Sequence, residues 1–65
     1  MKVIIHTKYG KFEGKETPYN ENAYHRMSHA LTQMHKASYF CFDTADGEIY
    51  LTKGMIDDCI VELIK

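Results

Sequence analysis

Hydrophobic and polar positions in the first sixteen residues predict a β-hairpin. Residues 3–5 read Val-Ile-Ile, a continuous β-branched run that is typical of a strand covered on both faces. Tyr9 and Gly10 form a turn signal, and residues 11–16 then alternate around Phe12 as a weaker, more exposed strand does. Two such strands joined by a short turn pair as a hairpin.

An amphipathic helix is predicted to follow the hairpin. Thr17 or Asn20 can cap its N-terminus. Pro18 suits a first-turn position, and Glu21 suits the positive end of the helix dipole. Apolar side chains then recur every three or four residues, at Tyr24, Met27, Ala30, Leu31 and Met34. The helix is expected to end near residue 37 or 38, with Leu31 facing the sheet.

A second hairpin is predicted between residues 39 and 52. Residues 39–42 are strand-like and aromatic, and residues 44–47 (Thr-Ala-Asp-Gly) are typical of a turn. On the outgoing strand Phe40 and Phe42 share one face, and on the return strand Ile49 and Leu51 share one face. Pairing in register therefore brings these four side chains into one apolar patch.

The last twelve residues, 54–65, fit two alternatives. A helical stripe runs through them, and residues 59–64 also suit a closing strand, which periodicity cannot separate in so short a segment. We favour the helix because Asp57 and Asp58 would lie in its first turn. The sequence therefore predicts one α+β domain over residues 1–65, with a small antiparallel sheet of two hairpins and one central amphipathic helix packed on it.

The size and composition of the chain favour self-association. A 65-residue chain buries only about 60% of its unfolded surface and needs additional support, such as a second subunit. Five tyrosines cannot all be buried in so small a core with their hydroxyls satisfied, and four methionines add adaptable contact surface. We therefore expect a homo-oligomer, a dimer or higher, with two-fold symmetry.

The lack of a targeting signal and the small number of cysteines lead us to expect a cytoplasmic protein. The N-terminal apolar run is three residues long, and no run reaches the roughly 20 residues of a membrane helix or the roughly 7–15 of a secretory signal. Two cysteines are too few for a disulfide scaffold. Cys41 and Cys59 lie in hydrophobic runs and are expected to be reduced, buried thiols.

One candidate binding surface is the polar side of the central helix. His25 and His29 are four residues apart and, with Lys36, lie opposite the apolar stripe. Two histidines at this spacing can chelate zinc, but a stable site needs three or four ligands, so no metal is expected. The alternatives are a merely solvated face and a surface for an anionic ligand or an acidic partner.

A second candidate surface is the lysine-bearing N-terminal hairpin. Residues 1–15 carry four lysines against one glutamate, and Lys8, Tyr9 and Lys11 place an aromatic ring among positive charges. Such a group suits stacking on nucleic acid. Lysines that protect an edge strand from aggregation explain the same pattern. The overall charge of −1 makes nucleic acid the alternative and not the first choice.

Catalytic motifs are missing from the sequence. There is no glycine-rich phosphate loop, no nucleophile elbow around Ser28, and no twelve-residue calcium loop around Asp46. We therefore predict no enzyme activity and no cofactor. The expected function is that of a small cytosolic binding protein, a homo-oligomeric regulator or inhibitor that binds a partner protein or a small anionic ligand.

Overall fold

A computed structural model describes all 65 residues of the chain. The strands are β1 (Lys2–Thr7), β2 (Gly10–Glu13), β3 (Tyr39–Thr44), β4 (Gly47–Thr52) and β5 (Ile60–Ile64). The helices are α1 (Glu21–Gln33), extended by a 3₁₀ turn (Met34–Lys36), and the short α2 (Lys53–Asp58). The predicted α+β class is confirmed, with two antiparallel hairpins and one main helix packed on a sheet.

The strands form two separate antiparallel sheets. The first has the order β2-β1-β5, and the second is the β3–β4 hairpin. In the second sheet Phe40 lies opposite Leu51 and Phe42 lies opposite Ile49, so the predicted register is confirmed. These four side chains pack on or within the core, which the two sheets share.

The C-terminal segment is both helix and strand. Helix α2 ends at Asp58, and Cys59 is already extended, with φ −95° and ψ 159°. The helix favoured over residues 54–65 is therefore wrong beyond residue 58, and the closing strand is correct for β5. The physical reason is the open edge of β1: pairing with it places Val61 opposite Ile5 and Leu63 opposite Val3, which packs both side chains on the core.

Both hairpins turn on the same four-residue sequence pattern. Residues 7–10 read Thr-Lys-Tyr-Gly and residues 44–47 read Thr-Ala-Asp-Gly. The Thr7 hydroxyl accepts the Tyr9 N–H at 3.0 Å and donates to the Gly10 carbonyl at 3.1 Å. The second turn repeats both bonds at 3.3 and 3.2 Å. Both glycines have positive φ, 134° and 155°, which explains why a residue without a Cβ closes each turn.

Helix α1 begins at a side-chain cap. The Ala23 N–H donates to Asn20 Oδ1 at 2.9 Å, which confirms Asn20 and not Thr17 as the capping residue. Pro18 lies before the cap, so its predicted place in the first turn is wrong. No residue of α1 is fully buried, and Leu31 is half-buried against the core. The 3₁₀ turn that follows the helix contributes the buried Met34.

The core is small and built mainly from strands. Ile5 and Leu51 are 0% and 1% exposed, and seven of the 65 residues are buried. Val3, Met34 and Ile56 complete the central cluster, so both sheets, the 3₁₀ turn and α2 each contribute at least one side chain. A core of this size leaves much of the apolar surface of the chain exposed.

A junction after β2 ties the two sheets together. The Gly14 N–H donates to the Val3 carbonyl at 2.7 Å, and the Lys15 N–H donates to the Asp43 carbonyl at 2.8 Å. Residues 14 and 15 therefore bridge β1 in one sheet and β3 in the other. A Cβ on Gly14 would lie 3.1 Å from the Val3 oxygen and 3.3 Å from a ring carbon of Phe42, so a side chain here requires the neighbouring atoms to move apart.

The two cysteines differ in their surroundings. Cys41 is exposed, so its predicted burial is wrong; Phe40 and Phe42 face the core, and strand alternation turns the residue between them outward. Cys59 is half-buried, and its Sγ lies 3.3 Å from the Ile56 carbonyl oxygen. Burial raises the pKa of the Cys59 thiol above its ordinary value, with smaller contributions from Asp57 and Asp58.

This difference predicts selective thiol labelling. In the native protein Cys41 should react rapidly with a thiol reagent, whereas Cys59 should react slowly until the protein unfolds, because it has less thiolate and less access. Mass spectrometry of timed reactions measures both rates, and in Cys41→Ser the rapid phase should disappear. Equal rates at the two cysteines in the parent protein would contradict this assignment.

Candidate functional site

The outward side of α1 carries the predicted histidines. His25 and His29 are both exposed, and His25 Nε2 lies 3.8 Å from Glu21 Oε1, one turn earlier. Lys36 is also exposed, but it belongs to the 3₁₀ turn and not to the regular helix that holds the histidines. These three residues are free to contact a partner, and their role in binding stays a prediction.

The turn of the first hairpin forms one wall of a cleft of about 230 Å³. Lys8 and Tyr9 line one side, and Thr52, Met55 and Asp58 line the other, near the start of α2. Lys8 Nζ lies 5.3 Å from the centre of the Tyr9 ring, and that ring is exposed. The cleft thus combines an aromatic face, one cation and one carboxylate.

Lys11 lies apart from this cleft. It occupies β2 opposite His6, on the outer face of the three-stranded sheet. The structure therefore brings Lys8 and Tyr9 together but divides Lys11 from them. The predicted basic patch consists of two neighbouring surfaces and not one.

The outer face of the three-stranded sheet is a charged network that sequence reasoning missed. His6 Nε2 lies 2.6 Å from Glu62 Oε1, and Lys2 Nζ donates to Glu13 Oε1 at 3.2 Å. The Lys2 ammonium, through this bond and its charge, holds the pKa of the Glu13 carboxyl below its ordinary value. His6 and Glu62 are 56 residues apart in sequence, so only the pairing of β1 with β5 reveals their contact.

Strand β5 exposes apolar side chains beside this network. Ile60 is 70% exposed and Ile64 is 37% exposed, both on the outer face of the sheet. On the inner side a shallow groove of about 260 Å³ separates β5 from α1, lined by Leu31, Val61 and Leu63 together with polar side chains of the helix. Both faces of β5 are therefore partly open to solvent.

The outer face of the β3–β4 hairpin carries two more aromatic rings. Tyr39 and Tyr50 are 64% and 62% exposed, and Cys41 lies directly opposite Tyr50. The Tyr50 hydroxyl donates to the Glu48 carboxylate, which raises the pKa of the Tyr50 phenol. Tyr24 alone of the five tyrosines is half-buried, and Tyr19 packs against it with ring centres 5.7 Å apart. The chain thus presents aromatic rings on several separate surfaces.

No three histidine, cysteine, aspartate or glutamate side chains come together in a group that could hold a metal ion. Neither helix has the length and apolar character needed to cross a membrane. Comparison with protein-family models, curated proteins and solved structures found no match for this chain.

Proposed function

We propose that this chain is a small, non-enzymatic, cytoplasmic binding protein that self-associates as a dimer or higher oligomer. It acts as a regulator or inhibitor by binding a partner protein or a small anionic ligand. The observation that supports this proposal is the exposure of large apolar side chains around a very small core. Four tyrosines and two isoleucines are exposed, whereas seven residues are buried. Tyrosine in particular is enriched where proteins bind one another.

The chemistry of the surfaces is consistent with binding. The three clefts of the molecule hold about 170 to 260 Å³, less than the roughly 300–1,000 Å³ of small-molecule sites. Side chains in them, such as Lys8, Tyr9 and Asp58, can hold a small ligand or the side chain of a partner. Reactions that must exclude water need a site that closes around the substrate, whereas binding by contact does not.

The test is sedimentation of the purified protein followed by capture from the native host. Sedimentation at micromolar concentration should show a species larger than 7.6 kDa. Mass spectrometry of captured material, covering proteins and small molecules, then identifies what the chain binds. A purely monomeric protein that captures nothing above a scrambled-sequence control would contradict the proposal.

The histidine side of α1 gives a sharper prediction for the bound partner. His25→Ala combined with His29→Ala should change the free energy of unfolding by no more than about 0.5 kcal/mol, because both residues are exposed. Binding of an anionic ligand or an acidic partner should weaken in this variant and, in the parent protein, should weaken with added salt. His35→Ala removes a different exposed imidazole and serves as the control. If the double variant binds as the parent protein does, the histidine side of α1 contacts only solvent and takes no part in binding.

Nucleic acid is the second candidate, because the exposed Tyr9 ring lies beside the Lys8 ammonium. Stacking of a base on such a ring, with lysines on the phosphates, is a common mode of single-strand binding. Titration of a labelled oligonucleotide at several salt concentrations tests this candidate. Phosphate contacts weaken steeply with salt, and Tyr9→Ala should then lower the affinity further.

A further inference from the structure

Strand β5 has one edge without a partner. It pairs with β1 alone, at the end of the β2-β1-β5 sheet. The Val3 carbonyl bonds to Gly14 on the β2 side, so by strand alternation Lys2, Ile4 and His6 direct their backbone groups towards β5. Their register partners on β5 are residues 64, 62 and 60. The N–H and C=O groups of Val61 and Leu63 consequently point to the free edge.

This free edge lacks the features that usually protect one. Natural edge strands carry lysine, proline or a bulge that blocks pairing with another chain. Residues 59–64 read Cys-Ile-Val-Glu-Leu-Ile and contain none of these. The single charge, Glu62, is already held by His6 on the neighbouring strand. The edge is therefore suited to accept another strand.

We propose that the occupant is a second copy of this chain, paired antiparallel through β5 about a two-fold axis at Val61. The two three-stranded sheets then become one continuous six-stranded sheet. This inference rests on the self-association in the proposed function and names its surface. Two-fold antiparallel pairing exchanges backbone hydrogen bonds symmetrically between the subunits.

The length of β5 and the side chains on its outer face select this register. An axis at Ile60 would pair only residues 59–61, because residue 58 still belongs to α2. An axis at Glu62 would place the two Glu62 carboxylates directly opposite each other, at a Cα spacing of about 4.5 Å, where like charges repel. An axis at Leu63 would leave Ile60, the most exposed of the large hydrophobic side chains, outside the overlap. The axis at Val61 places Ile60 against the aliphatic part of Glu62 of the partner subunit.

Charge at the two ends of β5 favours a second copy over an unrelated strand. Asp57 and Asp58 precede the strand and Lys65 follows it. Both aspartates belong to the last turn of α2, so the ladder ends at Cys59. Antiparallel pairing brings the C-terminal end of one β5, with Lys65, beside this turn of the other subunit. Within one subunit Lys53 pairs with Asp57, and Asp58 forms no ion pair. The Lys65 ammonium lies 5.4 Å from the centre of the Tyr24 ring and has no carboxylate partner. One segment therefore supplies both halves of a complementary contact, twice by symmetry.

The first experiment uses sedimentation equilibrium to compare two lysine substitutions, at side chains that are 70% (Ile60) and 64% (Tyr39) exposed. Ile60→Lys places a lysine in the proposed interface and should raise the dimer dissociation constant at least about 30-fold, because both subunits lose the contact. Tyr39→Lys places one on the outer face of the β3–β4 hairpin and should change that constant less than about threefold. Circular dichroism verifies that both variants remain folded.

The second experiment exchanges the charges at the ends of the strand. Asp58→Lys and Lys65→Asp should each weaken the dimer, and the double variant should recover the affinity of the parent, because the contact is restored with its signs reversed. Recovery in the double variant is not expected if either residue acts only within its own subunit.

The outcomes separate this inference from the proposed function. A parent protein that stays monomeric at micromolar concentration would overturn both self-association and this interface. A dimer that withstands Ile60→Lys but dissociates with Tyr39→Lys would overturn the β5 interface alone. Dissociation by Ile60→Lys together with charge-exchange recovery supports it.

Discussion

Ile5→Ala should destabilise the protein by about 3–5 kcal/mol, since removing a fully buried isoleucine loses its transfer free energy and leaves a cavity. Ile5 lies on the central strand of the three-stranded sheet, between Phe12 on β2 and Val61 on β5. No neighbouring strand can move inward without breaking its ladder. Small domains have total stabilities near the lower end of about 5–15 kcal/mol, so most of the native population should be lost.

Urea unfolding, followed by circular dichroism, measures this loss. Leu31→Ala is the matched comparison, because it removes a similar volume from a half-buried position on α1. Its expected cost is about 1–3 kcal/mol, since the site is open to solvent on one side and can relax. A larger cost for Leu31→Ala than for Ile5→Ala would place the core under the helix and not within the sheets.

Local sequence patterns predicted most of the secondary structure. The alternation of Phe40, Phe42, Ile49 and Leu51 fixes one face of a hairpin, because a slip of one residue would turn the two apolar side chains of the shifted strand outward. The same logic, applied to Cys41, predicts its exposure. The prediction that Cys41 is buried was wrong because it relied on the hydrophobic run around this residue and not on the alternation of side chains along the strand.

The C-terminal segment shows what local sequence patterns cannot predict. Residues 53–58 have helical hydrogen bonds, and residues 60–64 become a strand only because β1 offers them an edge. When helix and strand have similar local free energies, propensity cannot decide between them, because a tertiary contact supplies the difference in free energy. The closing strand could be weighed from sequence, but its partner strand and register could not.

Some of the candidate surfaces could likewise be predicted from local sequence patterns, and others could not. Exposure of His25, His29 and Lys8 follows from helical and turn periodicity, and the structure has all three exposed. The contact of His6 with Glu62 and the free edge at Val61 depend on the strand order β2-β1-β5. Surfaces built across distant strands are invisible to spacing rules, because their residues have no fixed separation in sequence.

The junction between the two sheets should be almost as sensitive as the core. Gly14→Ala should destabilise the protein by about 1–3 kcal/mol, the usual cost of forcing an atom into a packed site. The new Cβ would lie 3.1 Å from the Val3 carbonyl oxygen and 3.4 Å from that of Asp43, and these are the two acceptors that residues 14 and 15 use to join the sheets. Moving the backbone of Val3 or of Asp43 away from the new Cβ would lengthen the hydrogen bond that its carbonyl accepts from residue 14 or 15.

Gly54→Ala is the control for Gly14→Ala, because the same atom added at residue 54 meets nothing within 4 Å. Gly54 lies in α2, where alanine should stabilise the helix by up to about 1 kcal/mol. The two substitutions should therefore shift the urea midpoint in opposite directions although their chemistry is identical. A Gly14→Ala midpoint equal to that of the parent would mean that the β3–β4 hairpin can move away from β1 without cost. The two sheets would then be coupled by side chains of the core and not by this backbone junction.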